Sequence, residues 1–309
     1  MNRIRVQTCP RDDLPGVLEL LDQHPNIIQQ KRLLNLKRLQ VEGCLWAAYN
    51  PSASGNVLQG LVGLDLDARR VSLLAMKTPA VLPLLLDAVE RLAVSFGILE
   101  LELQLDPTRK KAKSWPRQWI AAVEPGRLQR KLSRRLTAAA RKALRVNQEL
   151  GVPADYGAAH RLQLQSEPSQ LASIGLDVFE REQFMTPRAA SALQGMIRQA
   201  GSDGIAIQPV SAFRSVDYQC QLLQNKLDKG QDMAAILRVS AAPGYSEHHS
   251  GRAVDLTTPG FKPLEEEFAD SEAFDWLSRS AAGWGFRLSY PRSNRHGVAY
   301  EPWHWYYTG

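Results

Sequence analysis

Ser246-Glu247-His248-His249-Ser250-Gly251-Arg252-Ala253-Val254-Asp255 is the stretch on which the fold of this chain turns, read together with Glu301-Pro302-Trp303-His304, 46 positions beyond Asp255. The pair of segments supplies imidazoles and carboxylates in the proportion of a mononuclear catalytic zinc site. Such a site has three protein ligands, one open position, and a free carboxylate to move protons. We read His248, Asp255 and His304 as the ligands and Glu301 as the base. The backbone must fold back between His248 and Asp255, and Gly251 and Ala253 suit that: glycine takes positive φ and alanine permits close approach. Ala253-Val254-Asp255-Leu256 reads as a buried strand, where an ionised Asp is costly unless a positive charge pairs with it. Pro302 biases Glu301 toward an extended backbone, and a regular strand would send Glu301 and His304 to opposite faces. A bend between them is therefore expected.

The pattern SxHxxGxAxD followed by ExWH resembles the VanY-type D-alanyl-D-alanine carboxypeptidases, whose zinc-site architecture is shared with hedgehog domains. Upstream, Ser211-Ala212-Phe213-Arg214-Ser215 with Gln219 beyond it is similar to the family's S-x-[YF]-R-S…Q segment. The resemblance spans about position 156 to Gly309, an ordinary length for one domain. It implies an α+β fold with an antiparallel sheet and a Zn2+ cofactor held by His248, Asp255 and His304, with Glu301 as general base. It further implies Arg214 as a catalytic, substrate-side cation, with Ser246 and Gln219 near the substrate. The implied substrates are peptidoglycan stem peptides or muropeptides that lose a terminal D-alanine, by D,D- or L,D-carboxypeptidase action. A peptidoglycan endopeptidase and a non-catalytic hedgehog-like module are the alternatives. His249 stands where relatives often carry another polar residue and receives no role. His24, His160 and His296 have no partner motif, and Asp217 reads equally as a carboxylate orienting a ligand or as a solvated turn residue.

The chain has 309 residues, 44% hydrophobic and 23% charged, which suits a globular protein of two domains. Residues Met1 to Gln7 carry no apolar h-region, and no apolar run approaches the ~18 residues of a membrane span, so a cytoplasmic, non-membrane protein is expected. That setting sits in tension with relatives that work on the cell wall. Cys9, Cys44 and Cys220 form no disulfide framework or CxxC pair and read as reduced thiols.

Residues 1–125 read as a separate α/β domain. Strands are expected at Ile4–Thr8, Leu45–Tyr49, Leu58–Leu66, Val71–Met76 and Ile98–Leu105, with helices from Asp12 or Asp13 to Leu21 and from Ala80 to Ser95. A turn is expected at 51–55. This order resembles the GNAT acetyltransferase fold. That family cradles its cofactor pyrophosphate in a glycine-rich loop, whereas here the equivalent stretch is Lys77-Thr78-Pro79-Ala80-Val81-Leu82, where Pro79 removes a donor. The resemblance therefore implies a GNAT-like scaffold without acetyl transfer.

Between the halves, residues 109–149 carry thirteen Lys or Arg against Glu124 and Glu149, so the net charge of +6 describes this segment and the remainder is net acidic. Leu128, Leu132, Leu136 and Ala140 recur every four residues, which predicts a basic amphipathic helix over Arg127–Leu150 within a 126–155 linker. Its charged faces read first as solvated. Nucleic acid is the next partner to consider, since a basic stripe gives salt-dependent affinity, but no DNA-reading motif accompanies it. A membrane surface fits least, because the apolar face lacks aromatic anchors. Residues 156–309 complete the domain reading.

Overall fold

The computed structural model describes residues 4–23, 33–52, 55–104, 116, 119–121 and 127–309, and the chain divides into two compact units. The first comprises Met1–Thr137 with Gly157–Arg161, and the second Ala138–Tyr156 with Leu162–Gly309. Among the described residues no helix is long and apolar enough to cross a membrane.

The first unit is a seven-stranded sheet. Its elements run β1 (Arg5–Thr8), α1 (Leu14–Gln23), α2 (Leu33–Val41), β2 (Leu45–Ser52), β3 (Gly55–Asp65), β4 (Arg70–Met76), α3 (Leu82–Ser95), β5 (Glu100–Gln104), β6 (Ile120–Ala121) and β7 (Arg127–Lys131). The spatial order is β1-β2-β3-β4-β5-β7-β6, antiparallel except for the parallel β4–β5 pair. Leu61, Val62, Leu64 and Leu74 on the central strands and Leu85, Leu86 and Val89 on α3 close the core. The strands and helices expected from the sequence appear here within a few residues. Two parts of the 51–55 turn, Ala53 and Ser54, lie outside the described residues, as do 109–115 of the basic segment.

The helix expected over Arg127–Leu150 is corrected by the structure. Arg127–Lys131 is strand β7, a 3-10 turn follows at Ser133–Arg135, and helix α4 starts only at Ala138 and ends at Glu149. A spacing of four is a multiple of the strand period of two, so Leu128 keeps a buried face in either conformation. The partner decides. Arg127 and Lys131 lie near Glu102 and Glu100 of β5, at 3.7 and 4.0 Å, and opposite charges across a strand pair favour the ladder. Arg130 and Arg135 meet Glu90, a carboxylate left almost no solvent, while Lys142 of α4 pairs with Asp217. Asp217 is thus an exposed ion-pair partner. Among the described residues, Arg127, Arg130, Lys131, Arg135 and Lys142 of the basic segment each face a carboxylate.

The one-turn helix α5 (Tyr156–Ala159) starts on the last residue before the chain returns to the first unit, and the second unit then continues with β8 (Ala172–Leu176), β9 (Glu182–Met185), α6 (Pro187–Ser202), β10 (Gln208–Ser211), α7 (Val216–Asp228), α8 (Met233–Val239), β11 (Ala253–Thr257), α9 (Glu272–Ser280), β12 (Phe286–Leu288) and β13 (His304–Tyr307). A four-stranded antiparallel sheet in the order β10-β11-β13-β12 packs with α6 and α9 around Leu193, Met196, Val254, Leu256, Leu277 and Trp305. The starts of α7 and α9 are capped: Ser215 Oγ accepts the Tyr218 N–H at 3.1 Å and Ser271 Oγ accepts that of Phe274 at 3.1 Å.

Gly195 of α6 faces Trp284, and a Cβ built there would overlap the indole ring. Gly195→Ala is expected to lower stability by roughly 1–2 kcal/mol in urea denaturation, because overpacking against a ring exceeds the gain in helix propensity. An unchanged midpoint would show that the α6–Trp284 contact yields freely.

Candidate metal centre

Strand register builds the centre. Asp255 on β11 stands directly opposite His304 on β13, and opposed residues on an antiparallel pair keep their side chains in contact. The third member arrives from the 3-10 turn Glu247–Ser250, which ends on Gly251 with φ of 64°. Few residues other than glycine take that conformation cheaply, and it turns the chain back into β11. The expected bend before His304 is a tight turn, with the His304 N–H donated to the Glu301 carbonyl at 3.1 Å.

The residues read as ligands come together. Donor atoms of His248, Asp255 and His304 all lie within 4.8 Å of one another, and the three residues are buried. His248 donates Nδ1–H to the Ala212 carbonyl at 2.6 Å, which leaves Nε2 as a lone-pair acceptor. That atom has no hydrogen-bond partner although Asp255 Oδ2 is 3.2 Å away. Two acceptors held face to face in a buried site call for a cation between them. His304 Nδ1 approaches Asp255 Oδ1 at 3.0 Å. These separations approach the edge of about 3.4 Å expected between two ligands on a tetrahedral zinc. The donor set fits: two imidazoles and one carboxylate suit zinc, whereas calcium and magnesium prefer oxygen alone.

The electrostatics agree with this chemistry. Burial and the Arg214 charge push His248 down to about 4, so it is neutral, as a ligand must be. Burial would raise Asp255, but His248 and His304 hold it well below the usual carboxylate range. Burial opposes protonation of His304, yet its bonds to Asp255 and Glu247 raise it to about 10. As a cation His304 donates Nδ1–H to Asp255, and a metal bound at Nδ1 displaces that proton.

Glu301 stands beside the cluster, with Oε2 3.8 Å from His304 Nδ1. Burial, only partly opposed by His304, pushes its carboxyl up to about 7, where both proton states are accessible near neutral pH. Arg214 follows β10 and reaches Asp255 Oδ2 with Nη2 at 3.3 Å and Gln219 Oε1 with Nη1 at 3.4 Å. Gln219, buried on α7, spends its amide N–H on the Ala241 carbonyl at 2.8 Å. Ser246 is buried just before the turn and its carbonyl accepts the His249 N–H at 3.1 Å, without a side-chain cap.

Two residues with no role in the sequence reading sit in the same network. His249 accepts the Gly244 N–H at Nε2, 3.1 Å, and donates Nδ1–H to the Arg214 carbonyl at 2.7 Å, which fixes the backbone that carries Arg214. Glu247 accepts from His304 Nε2 at 3.0 Å. Its position inside the 246–255 motif was the only signal in the sequence.

Two imidazoles, a buried carboxylate and an outlying carboxylate are the donor inventory of a mononuclear metal centre of the hydrolytic type. The chain belongs to the VanY D-alanyl-D-alanine carboxypeptidase family: residues 182–309 match the family model, and a bifunctional D-Ala-D-Ala dipeptidase and carboxypeptidase, VanXYC of Enterococcus gallinarum, is 30% identical over 158 residues, 48% of this chain and 80% of that protein. YodJ of Bacillus subtilis (strain 168), provisionally described as a carboxypeptidase, is 32% identical over 174 residues, 53% of this chain. The chain spans 59% of the length of that relative. Among solved structures, a vancomycin-resistance D,D-pentapeptidase VanY from a VanB-type cassette, solved as a mutant with Zn(II), shares 26% identity over 49% of this chain and 88% of its own, with a TM-score of 0.38. The GNAT-like reading of the N-terminal half gains no support from these relatives.

Proposed function

We propose that the second unit is a zinc-dependent peptidase that removes the terminal D-alanine from peptidoglycan-type stem peptides, by D,D- or L,D-carboxypeptidase action. The observation that carries this reading is Glu301: a half-buried carboxylate beside the His248–Asp255–His304 cluster but outside it, with its pKa raised into the range a proton carrier needs. His248, Asp255 and His304 would hold the zinc, which when bound supplies Lewis-acid activation of water and of the scissile carbonyl. Glu301 takes the proton from the attacking water and delivers it to the leaving amine as the C–N bond breaks and the new C–O bond forms. Arg214 offers its guanidinium to the developing oxyanion or to the substrate's terminal carboxylate.

The test is incubation of the zinc-loaded protein with defined penta- and tetrapeptide stems, with products weighed by mass spectrometry. Loss of one alanine supports the reading, internal cleavage supports an endopeptidase, and no turnover with zinc bound leaves only a binding module. Arg214→Ala is expected to lower kcat by roughly 100- to 1,000-fold, the usual effect of losing one oxyanion donor. An unchanged kcat would return Arg214 to a structural ion pair with Asp255.

For the first unit we infer a GNAT-like scaffold that does not transfer acetyl groups. The succession of one strand, two helices, three strands, a helix and a strand supports the scaffold, and Pro79 in place of a glycine cradle argues against the chemistry. Heat on titrating acetyl-CoA into the full chain would overturn the second part.

A further inference from the structure

We propose that Glu247 is the positioning residue for His304, the carboxylate that sets which imidazole nitrogen faces the metal. This rests on the metal reading of the His248–Asp255–His304 cluster. Glu247 approaches His304 from the side away from the other ligands: its Oε2 meets Nε2 at 3.0 Å, while Asp255 Oδ1 meets Nδ1 at 3.0 Å. The two ring nitrogens point in divergent directions, so Glu247 cannot share an ion with Asp255. It can only hold the Nε2 proton, which leaves the Nδ1 lone pair for the metal.

The carboxylate is itself anchored. Arg287 Nη2 donates to Oε1 at 2.9 Å, and Ser289 Oγ donates to Oε2. Arg287 lies on β12, opposite Tyr306, with its guanidinium 5.0 Å over the Tyr306 ring. The Ser289 N–H is donated to the His304 carbonyl at 3.3 Å. Glu247 is thus clamped by the strand that neighbours the one bearing His304. Tyr290 packs on the imidazole with ring centroids 4.9 Å apart, which limits turning of the ring about its Cβ–Cγ bond.

A structural ion pair does not explain this arrangement. Arg287 is 47% exposed, and a pair with a half-exposed arginine stabilises little, whereas a carboxylate side chain only 14% exposed carries a desolvation cost. The chain spacing is also economical, because Glu247 and His248 are adjacent on one 3-10 turn. A single turn therefore presents one ligand and orients another.

The experiment measures zinc affinity of the full chain by competition with a chromophoric chelator, the visible spectrum of the cobalt-loaded protein, and the thermal midpoint of each metal-free variant. Glu247→Ala is expected to weaken zinc binding by about 10- to 100-fold and to alter the cobalt bands. Glu247→Gln preserves the shape but has one acceptor oxygen for Arg287 and His304, so it is expected to lose part of that affinity and covers the case in which the alanine variant fails to fold. Wild-type affinity and an unchanged cobalt spectrum in the glutamine variant, with or without a lower thermal midpoint, would overturn the proposal and leave Glu247 a structural residue. A wild-type chain that takes up no zinc would overturn the metal reading itself.

Discussion

Glu301→Ala is expected to lower kcat on a D-alanine-ended stem peptide by about 100- to 10,000-fold, the range that a positioned general acid–base contributes. Zinc content should stay at the wild-type level, because Glu301 stands 3.8 Å from His304 Nδ1 and outside the cluster of donor atoms. The combination distinguishes a proton carrier from a ligand. KM should change far less than kcat, since the carboxylate acts on the moving proton more than on the bound peptide. Steady-state kinetics alongside metal analysis checks both. A variant that keeps full turnover would remove Glu301 from the mechanism, and one that loses zinc would make it part of the metal shell.

Asp255→Asn is expected to act in the opposite way, through the metal first. The substitution keeps the shape of the side chain and removes the anion that sits between His248, His304 and Arg214, at 3.2, 3.0 and 3.3 Å. Zinc affinity should fall by more than the roughly 10- to 100-fold typical of losing an outer hydrogen-bond partner. The Arg214 guanidinium, 23% exposed, also loses its charge partner. Removing one member of a buried pair costs about 3–5 kcal/mol, and a fall of that order is expected in chemical denaturation of the metal-free protein. Metal analysis with wild-type affinity would show that Asp255 serves Arg214 and not the ion.

The clustering of His248, Asp255 and His304 was legible because metal chemistry restricts residue types, and because the strand carrying Asp255 announced itself as a buried run that an unpaired carboxylate would not enter. The bend at Pro302 was legible for a similar reason, since a regular strand could not bring Glu301 and His304 to one side. Glu247 was not legible. Its partner His304 lies 57 positions away, and no local rule distinguishes it from a surface glutamate. His249 was missed likewise, because its work is to hold the Arg214 carbonyl, 35 positions upstream. Gln219 could be placed near Arg214 by motif, but the sequence could not show that its amide is spent on Ala241 and on the guanidinium.

The segment at Arg127–Leu150 shows where periodicity stops deciding. A repeat of four serves a helix face and a strand face equally, and Glu100 and Glu102 on the neighbouring strand settle the first part as β7. The net charge misleads in the same place, because Arg130 and Arg135 are spent on the buried Glu90.

By itself the sequence determined the chemistry on offer: which side chains can bind a metal, which carboxylate is left over, and where the chain must turn or stay extended. These are properties of residue type and short spacing. Only the tertiary structure decided which nitrogen of each histidine is committed, which cations are already paired, and which acid faces His304 from behind. Those depend on strand register and burial, which bring distant residues within hydrogen-bond distance and make the identity of each partner, not of the residue alone, set its charge.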